Sequence, residues 1–319
     1  MNLPVFWIVI FVVSLCVLIR AADYFTGAAE RIGLSFGIPD FIVGVTIIAI
    51  GTSLPEIISS IFAVLRNSSE IVIGNVIGSN ITNIFLVVGI TAIIGNKLKI
   101  TYELVHIDLP LLMGSALFLT LTIWDGKFTL FEALLCLAGV VVYLLHAITS
   151  ERQYLGSKKK ATSKKERQRG KIDWRTFIIF IISALLICLG GRYTIEAVIR
   201  LSVILNIGKE IIAASAVAFG TSLPELVVSI TAAKKGKPEI AIGNVLGSNI
   251  FNALAVMGIP ALMGTLTIPQ NILTFGLPIM LIASLLFFFM AQDKEITRWE
   301  GWLLLIFYVF YISGLFKIN

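Results

Sequence analysis

The sequence predicts an all-α integral membrane protein, with ten transmembrane helices laid out as two inverted five-helix repeats. Three observations predict it. Apolar runs of membrane length recur from one end of the chain to the other. Two motifs occur twice, at one fixed offset. The Lys and Arg residues collect in alternate loops.

Of 319 residues, 57% are hydrophobic and 14% charged, and the mean hydropathy is +0.96. A soluble domain carries about 25% charged residues, so a soluble fold is excluded. The net charge of +6 is uneven, because ten of the 25 Lys/Arg lie between Arg152 and Arg175. That clustering marks membrane topology and not a nucleic-acid surface.

A span takes about 17–25 apolar residues. The first runs over 4–27. It is a helix and not a signal peptide, because Met1–Pro4 holds no basic residue and Arg20 follows the apolar run. The next four fall at 39–65, 70–94, 105–123 and 128–149. Residues 151–173 form a polar, basic linker. Five more spans follow at 174–200, 209–233, 239–263, 271–291 and 298–316. Trp7, Trp124, Trp174, Trp299 and Trp302 fall near span ends, where an amphipathic ring is favoured. The chain thus divides into residues 1–150, the linker 151–173, and 174–319.

Basic loops face the cytoplasm. With the linker inside, the inside loops hold Arg31, Lys97, Lys99, Lys234, Lys235, Lys237, Lys294, Arg298 and the linker's ten, 18 in all. The outside holds five: Arg66, Lys127, Arg200, Lys209 and Lys317. Both termini are therefore expected outside a multi-pass protein of the cell membrane. Cys16, Cys136 and Cys188 lie in apolar runs without ligand spacing and read as buried small hydrophobes. His106 and His146 form no cluster.

The repeat is free of gaps through the first three spans. Gly51-Thr-Ser-Leu-Pro-Glu56 recurs as Gly220-Thr-Ser-Leu-Pro-Glu225, an offset of 169. Gly74-Asn-Val-Ile-Gly-Ser-Asn80 and Gly243-Asn-Val-Leu-Gly-Ser-Asn249 share that offset, as do Ala49 and Ala218, and Asn83 and Asn252. Five spans per half is an odd number, so the second half enters the membrane inverted. Secondary transporters are commonly built this way, with a midplane site between the halves.

A carboxylate inside a membrane segment is costly, and so is a proline, whose ring crowds the carbonyl four residues back. Pro55 and Pro224 are expected to kink or unwind the helix at Gly51 and Gly220, freeing carbonyls around Ala49–Thr52 and their counterparts. The side chains added there are Thr52, Ser53 and Glu56, and Thr221, Ser222 and Glu225. In the second motif, Asn75, Ser79 and Asn83 share one helix face, as do Asn244, Ser248 and Asn252. Gly74 with Gly78, and Gly243 with Gly247, let another helix approach. Each Ser/Asn face is expected to pack on a GTSLPE break. Asn80 and Asn249 lie off that face, and Asn75 and Asn244 suit bracing.

Every donor is an oxygen, which suits a hard cation such as Na⁺, Ca²⁺ or Mg²⁺. Two facing carboxylates repel, and a divalent cation between Glu56 and Glu225 cancels both charges. Several Na⁺ at separate subsites would do the same, so one site filled by either ion gives exchange by competition. One proline, or one small-xxx-small pair, is ordinarily structural; the gapless duplication of the whole set is not. Asp23, Glu30, Arg31, Asp40, Glu103, Asp108, Arg192 and Glu196 read as interfacial, snorkelling or paired.

These motifs resemble those of the cation/calcium exchanger superfamily, and within it the prokaryotic Na⁺/Ca²⁺ exchangers, over nearly the whole chain. The resemblance implies the Na⁺/Ca²⁺ exchanger fold, with the long first and sixth spans sliding across the motif helices. It implies Ca²⁺ held by Glu56 and Glu225 with oxygens of Thr52 and Thr221. It implies Na⁺ at Ala49, Ala218, Thr52, Ser53, Thr221, Ser222, Ser79 and Ser248, with Asn83 and Asn252 completing the metal site. Some relatives carry Asp at the position of Asn252; here the core has two acidic groups, which argues against K⁺ co-transport. The hydroxyls at 52, 53, 221 and 222 favour Na⁺ over H⁺ as counter-ion. Alternatives are H⁺/Ca²⁺ or Na⁺/Mg²⁺ exchange and a passive cation channel. No enzyme motif is present. No cofactor beyond the transported Ca²⁺ and Na⁺ is expected, nor any nucleic acid or obligate protein partner.

Overall fold

The computed structural model describes residues 4–36, 40–65, 67, 69–95, 97–99, 108–161, 173–204 and 222–318. The described residues are helical with four short strands. α1 is Pro4–Phe36. α2 covers 40–52, with a π-helical turn at Gly44–Ile48. α3 is Leu54–Leu65. α4 is Glu70–Gly95, with a π turn at Asn83–Val88. β1 (Lys97–Lys99), α5 (Asp108–Thr122), β2 (Lys127–Phe128) and α6 (Leu130–Ala161) follow. Then come α7 (Trp174–Ile204), α8 (Leu223–Lys234) and α9 (Pro238–Ala261), whose π turn is Asn252–Val256. β3 (Leu266–Thr267), α10 (Ile272–Gln292), β4 (Glu295–Thr297) and α11 (Arg298–Ile318) complete the order.

Seven helical segments of the described residues are long and apolar enough to cross a membrane. They stand at the expected first, second, third, fifth, sixth, eighth and ninth spans. α5, α8 and α11 stand at the other three. The first part of the expected 209–233 span, with Ala218, Gly220 and Thr221, lies outside the described residues, as does His106. α6 continues to Ala161, so the helix enters what reads as linker, and 162–172 lie outside the described residues.

Burial sorts the helices by polarity. The apolar windows of α9 and α4 are 100% and 83% buried, against 22% for α1, α6 and α7. α4 and α9 carry the Asn and Ser side chains, which hydrocarbon cannot solvate, so they take the centre. α1 and α7 turn aliphatic faces outward, Val9, Val12 and Val13 on one and Ile178, Ile181 and Ile182 on the other. These two helices pack along each other, with Phe25 stacked on Phe180 at 4.7 Å between ring centroids. At 33 and 31 residues each reaches about 45–50 Å, more than the ~30 Å hydrocarbon thickness, which requires tilt or extension past it.

Both small sheets join the two halves. β1 pairs antiparallel with β4, Lys97 opposite Thr297 and Leu98 opposite Ile296. β2 pairs with β3, Phe128 opposite Leu266 and Lys127 opposite Thr267. Adding the offset of 169 to one end of each pair and subtracting it from the other converts the first two pairs into the second two, with the register kept.

The loops group at two ends. Gly95 and Lys97–Lys99 from one loop, with Ala233, Gly236 and Pro238 from another, line one surface pocket of about 210 Å³. β4 lies beside it, and Lys235 and Lys237 pair with Asp23 and Glu30 of α1 at 3.3 and 3.1 Å. At the other end Thr267 N donates to Ser69 Oγ at 3.2 Å beside the β2–β3 pair. The two groups are the loops that charge counting assigns to opposite sides. Two expectations fail. Of the three cysteines expected to be buried, Cys136 is, Cys16 is exposed on α1 and Cys188 is half-buried on α7. Asp108 is buried, 3% exposed, as the first residue of α5, and is neither exposed to snorkel nor in an ion pair among the described residues.

Candidate cation site

The GTSLPE segment breaks at its serine. α2 ends at Thr52, Ser53 adopts φ −83°, ψ 0°, and α3 starts at Leu54. Ser222 does the same at φ −90°, ψ 5°, before α8. Pro55 and Pro224 thus sit in the first turn of a new helix, where a missing N–H costs nothing. The expected kink is real but sits at the serine, two residues beyond the glycine. The break is shallow: Ser53 N still donates to Ala49 O at 3.0 Å, and Ile57 N to Ser53 O at 3.2 Å.

Each break places a glutamate in the first turn of the following helix. Glu56 is 1% exposed and Glu225 is fully buried. They lie close enough for the charge of one to act on the other. No oxygen of either carboxylate meets full hydrogen-bond geometry among the described residues, nor do Ser53 Oγ, Ser222 Oγ, Asn83 Oδ1 or either amide atom of Asn252, although the Thr52 hydroxyl stands near enough to Glu225, and each glutamate's backbone N–H near enough to its own carboxylate, to act on the charge. Buried polar atoms are almost always partnered, and so dense a set of orphaned acceptors fits a hard cation, which takes six to eight oxygens. Among the described residues no three His, Cys, Asp or Glu side chains come together to hold a metal, so the remaining donors here are neutral oxygens.

Contacts between the halves build the surroundings. Thr52 Oγ1, after the first half's π turn, donates to Asn244 Oδ1 at 3.1 Å and stands 3.3 Å from Ser248 Oγ. The Ser/Asn face of α9 therefore packs on the break of the opposite half. Two glycines permit the approach: a Cβ on Gly44 would stand 2.6 Å from Ile240 O, and one on Gly247 would strike Val45 O. Gly74 has nothing within 4 Å, so its place in the repeated spacing is not matched by a close packing contact. Between α4 and α9, Asn80 Nδ2 donates to Asn249 O at 3.3 Å and Asn83 Nδ2 to Asn249 Oδ1 at 3.2 Å.

Asn75 and Asn244 brace helices. Asn75 Nδ2 donates to Ser60 Oγ at 3.4 Å, and Asn244 Nδ2 to Ser229 Oγ at 3.0 Å and Glu225 O at 3.4 Å. Sequence reasoning missed Ser60 and Ser229. Their signal was present: each lies four residues after its glutamate, and they are 169 apart. Of the predicted residues, Ala49, Thr52, Ser53, Glu56, Ser79, Asn83, Ser222, Glu225, Ser248 and Asn252 are all buried. Ser79 and Asn252 are placed by helix position. Ala218 and Thr221 lie outside the described residues. The π turns of α4 and α9 begin at Asn83 and Asn252, and such turns recur at functional sites.

The model of the sodium/calcium exchanger protein family matches residues 6–149 and 175–317. The chain is 32% identical to the sodium/calcium exchanger MaX1 of Methanosarcina acetivorans, over 97% of this chain and 98% of that one. It is 29% identical to the inner membrane protein YrbG of Escherichia coli K12, over 86% of each. It superposes on the sodium-calcium exchanger NCX_Mj soaked with Na⁺ and Sr²⁺ with a TM-score of 0.82, at 30% identity, covering 98% and 99% of the two chains. Both halves, both motif pairs and the helical scaffold are inside these matches, and the chain belongs to the sodium/calcium exchanger family.

Proposed function

We propose that this chain is a secondary antiporter that exchanges Na⁺ for Ca²⁺ across the cell membrane by alternating access. The observation that carries the reading is the pair of buried carboxylates, Glu56 and Glu225, one from each half and neither in an ion pair among the described residues. In a medium of low dielectric two such charges repel strongly. One Ca²⁺ between them cancels both, with oxygens of Thr52 and Thr221 filling its shell. Na⁺ ions at separate subsites, drawn from Ala49, Ala218, Ser53, Ser222, Ser79, Ser248, Asn83 and Asn252, cancel them equally. The two occupancies exclude each other, and that exclusion couples the fluxes.

The scaffold is ten spans in two inverted repeats, with both termini outside and 151–173 in the cytoplasm. The register of β1–β4 and β2–β3, exchanged by the offset, supports the inversion. The clustering of expected inside loops at one end supports the sidedness. α1 and α7, peripheral and packed mainly on each other, are the pair that slides across the buried core. Ca²⁺ and Na⁺ are cargo, the bilayer is the solvent, and transport needs no resident cofactor, no catalysis and no obligate protein partner. The similarity to MaX1 and NCX_Mj, both sodium/calcium exchangers, supports the same pair of ions.

Reconstituted vesicles test this. Ca²⁺ uptake should follow an outward Na⁺ gradient and ignore an imposed pH gradient. Uptake that follows pH and ignores Na⁺ assigns H⁺/Ca²⁺ exchange. Flux without any counter-ion assigns a channel.

A further inference from the structure

The molecule has a second feature that ion exchange does not use, on its membrane face. A groove of about 560 Å³ runs between α1 and α7, lined by Cys16, Val17, Arg20 and Tyr24 on one side and Ile182 and Leu186 on the other. Ser183 also lines it, but its hydroxyl donates to Ile179 O of its own helix at 2.6 Å. The groove therefore offers hydrocarbon to whatever fills it, and one cation, Arg20, to its head.

The depth of Arg20 follows from two contacts on α1. Trp7 packs under the guanidinium of Arg200 at 5.5 Å, and Asp23 pairs with Lys235 at 3.3 Å. Sixteen residues of helix between Trp7 and Asp23 span about 24 Å, somewhat less than the ~30 Å hydrocarbon thickness, so the two contacts lie at or just inside the interfaces. Arg20, three residues inside Asp23, sits about 5 Å below one interface, within snorkelling reach of lipid phosphate. It is exposed, and among the described residues it has no ion-pair or hydrogen-bond partner. An Arg near the end of a span snorkels its guanidinium to the headgroup level, and with no protein acceptor there the lipid phosphate is the anion within its reach. The Asp23 carboxylate one turn away is engaged by Lys235, so the local balance of Arg20, Asp23 and Lys235 stays positive.

We propose that this groove is a binding site for an anionic phospholipid, with an acyl chain between α1 and α7 and the phosphate on Arg20. Tyr24, 64% exposed and one helical turn nearer the interface than Arg20, stands at headgroup level, as interfacial tyrosines do. The lipid would seat on the helix pair assigned to slide, but the binding claim does not depend on transport.

Native mass spectrometry of the full chain tests it, using micelles with equal phosphatidylglycerol and phosphatidylcholine of distinguishable mass. The wild type should retain phosphatidylglycerol preferentially. Arg20→Gln should lower that preference about five-fold, the effect of one basic residue near a membrane surface, and Arg20→Lys should keep it. Ile182→Trp fills the groove from an exposed position and should release the retained lipid without changing charge. Adducts on the basic 151–173 segment are common to all four chains and cancel in the comparison. An unchanged preference in Arg20→Gln overturns the phosphate contact. Undiminished retention in Ile182→Trp overturns the acyl seat, and equal retention of phosphatidylcholine by the wild type overturns the anionic selectivity.

Discussion

Ser229→Ala isolates the bracing of Asn244. Ser229 is fully buried, and its hydroxyl accepts from Asn244 Nδ2 at 3.0 Å. Removing one oxygen opens little space, so the effect is almost entirely on the amide. Asn244 Nδ2 keeps a long contact to Glu225 O at 3.4 Å, which limits the loss to about 1–2 kcal/mol of the 1–3 expected for an orphaned buried donor. Asn244 Oδ1 holds Thr52 of the other half, so the loss falls on the geometry of the cation shell. If all of it appears in Ca²⁺ binding, half-saturation of Na⁺-driven Ca²⁺ uptake rises about five- to thirty-fold. Ser60→Ala is the internal control, because its bond from Asn75 is at 3.4 Å and weaker; its shift should stay below about five-fold. The assay is isotopic Ca²⁺ uptake into vesicles, with thermal unfolding followed in parallel. Equal effects of the two substitutions, or normal Ca²⁺ half-saturation in Ser229→Ala, would refute the bracing.

Glu56→Gln and Glu225→Gln should each abolish Ca²⁺ transport while the Ca²⁺-free protein unfolds at an equal or higher temperature, since a buried repulsion is gone; full transport in either removes that residue from the site. Gly247→Ala puts a methyl against the backbone of Val45 and should cost about 1–3 kcal/mol of stability, whereas Gly74→Ala, with nothing within 4 Å, should unfold at the wild-type temperature. Similar losses for both would show that the motif spacing and not the α2–α9 contact sets the requirement. Lys235→Gln should cost under about 1 kcal/mol and only at low salt, because the Asp23 pair is more than a third exposed on both sides; a large, salt-independent loss in a denaturation series would contradict that.

Much of the scaffold was legible because hydrocarbon leaves few choices. Length, hydropathy and charge place spans, and a gapless offset reveals two halves. What spacing could not supply is which helix faces which. Asn244 and Ser248 share a face by their separation alone, but that this face meets Thr52 of the other half is a tertiary fact. The π turns were invisible, because one extra residue in a turn leaves no mark in a 3.6-residue period. Ser60 escaped for a different reason. Serines in membrane helices commonly bond back to their own backbone, and its neighbour Ser59 does so, donating to Glu56 O at 3.0 Å. Nothing in the sequence separates the two except the repeat.

The two short ribbons carry an evolutionary consequence. Each takes one strand from either half, and the offset turns one ribbon into the other with the register intact. A polypeptide of half this length, inserted into the membrane in both orientations, could therefore form both ribbons by meeting a copy of itself. The covalent join through 162–172 would then be a late addition that fixes the two orientations in one molecule. Such a fusion would also have let the copies diverge, as Lys235 with Asp23 illustrates: at the positions 169 away stand Arg66 and Arg192, two like charges that cannot make that pair.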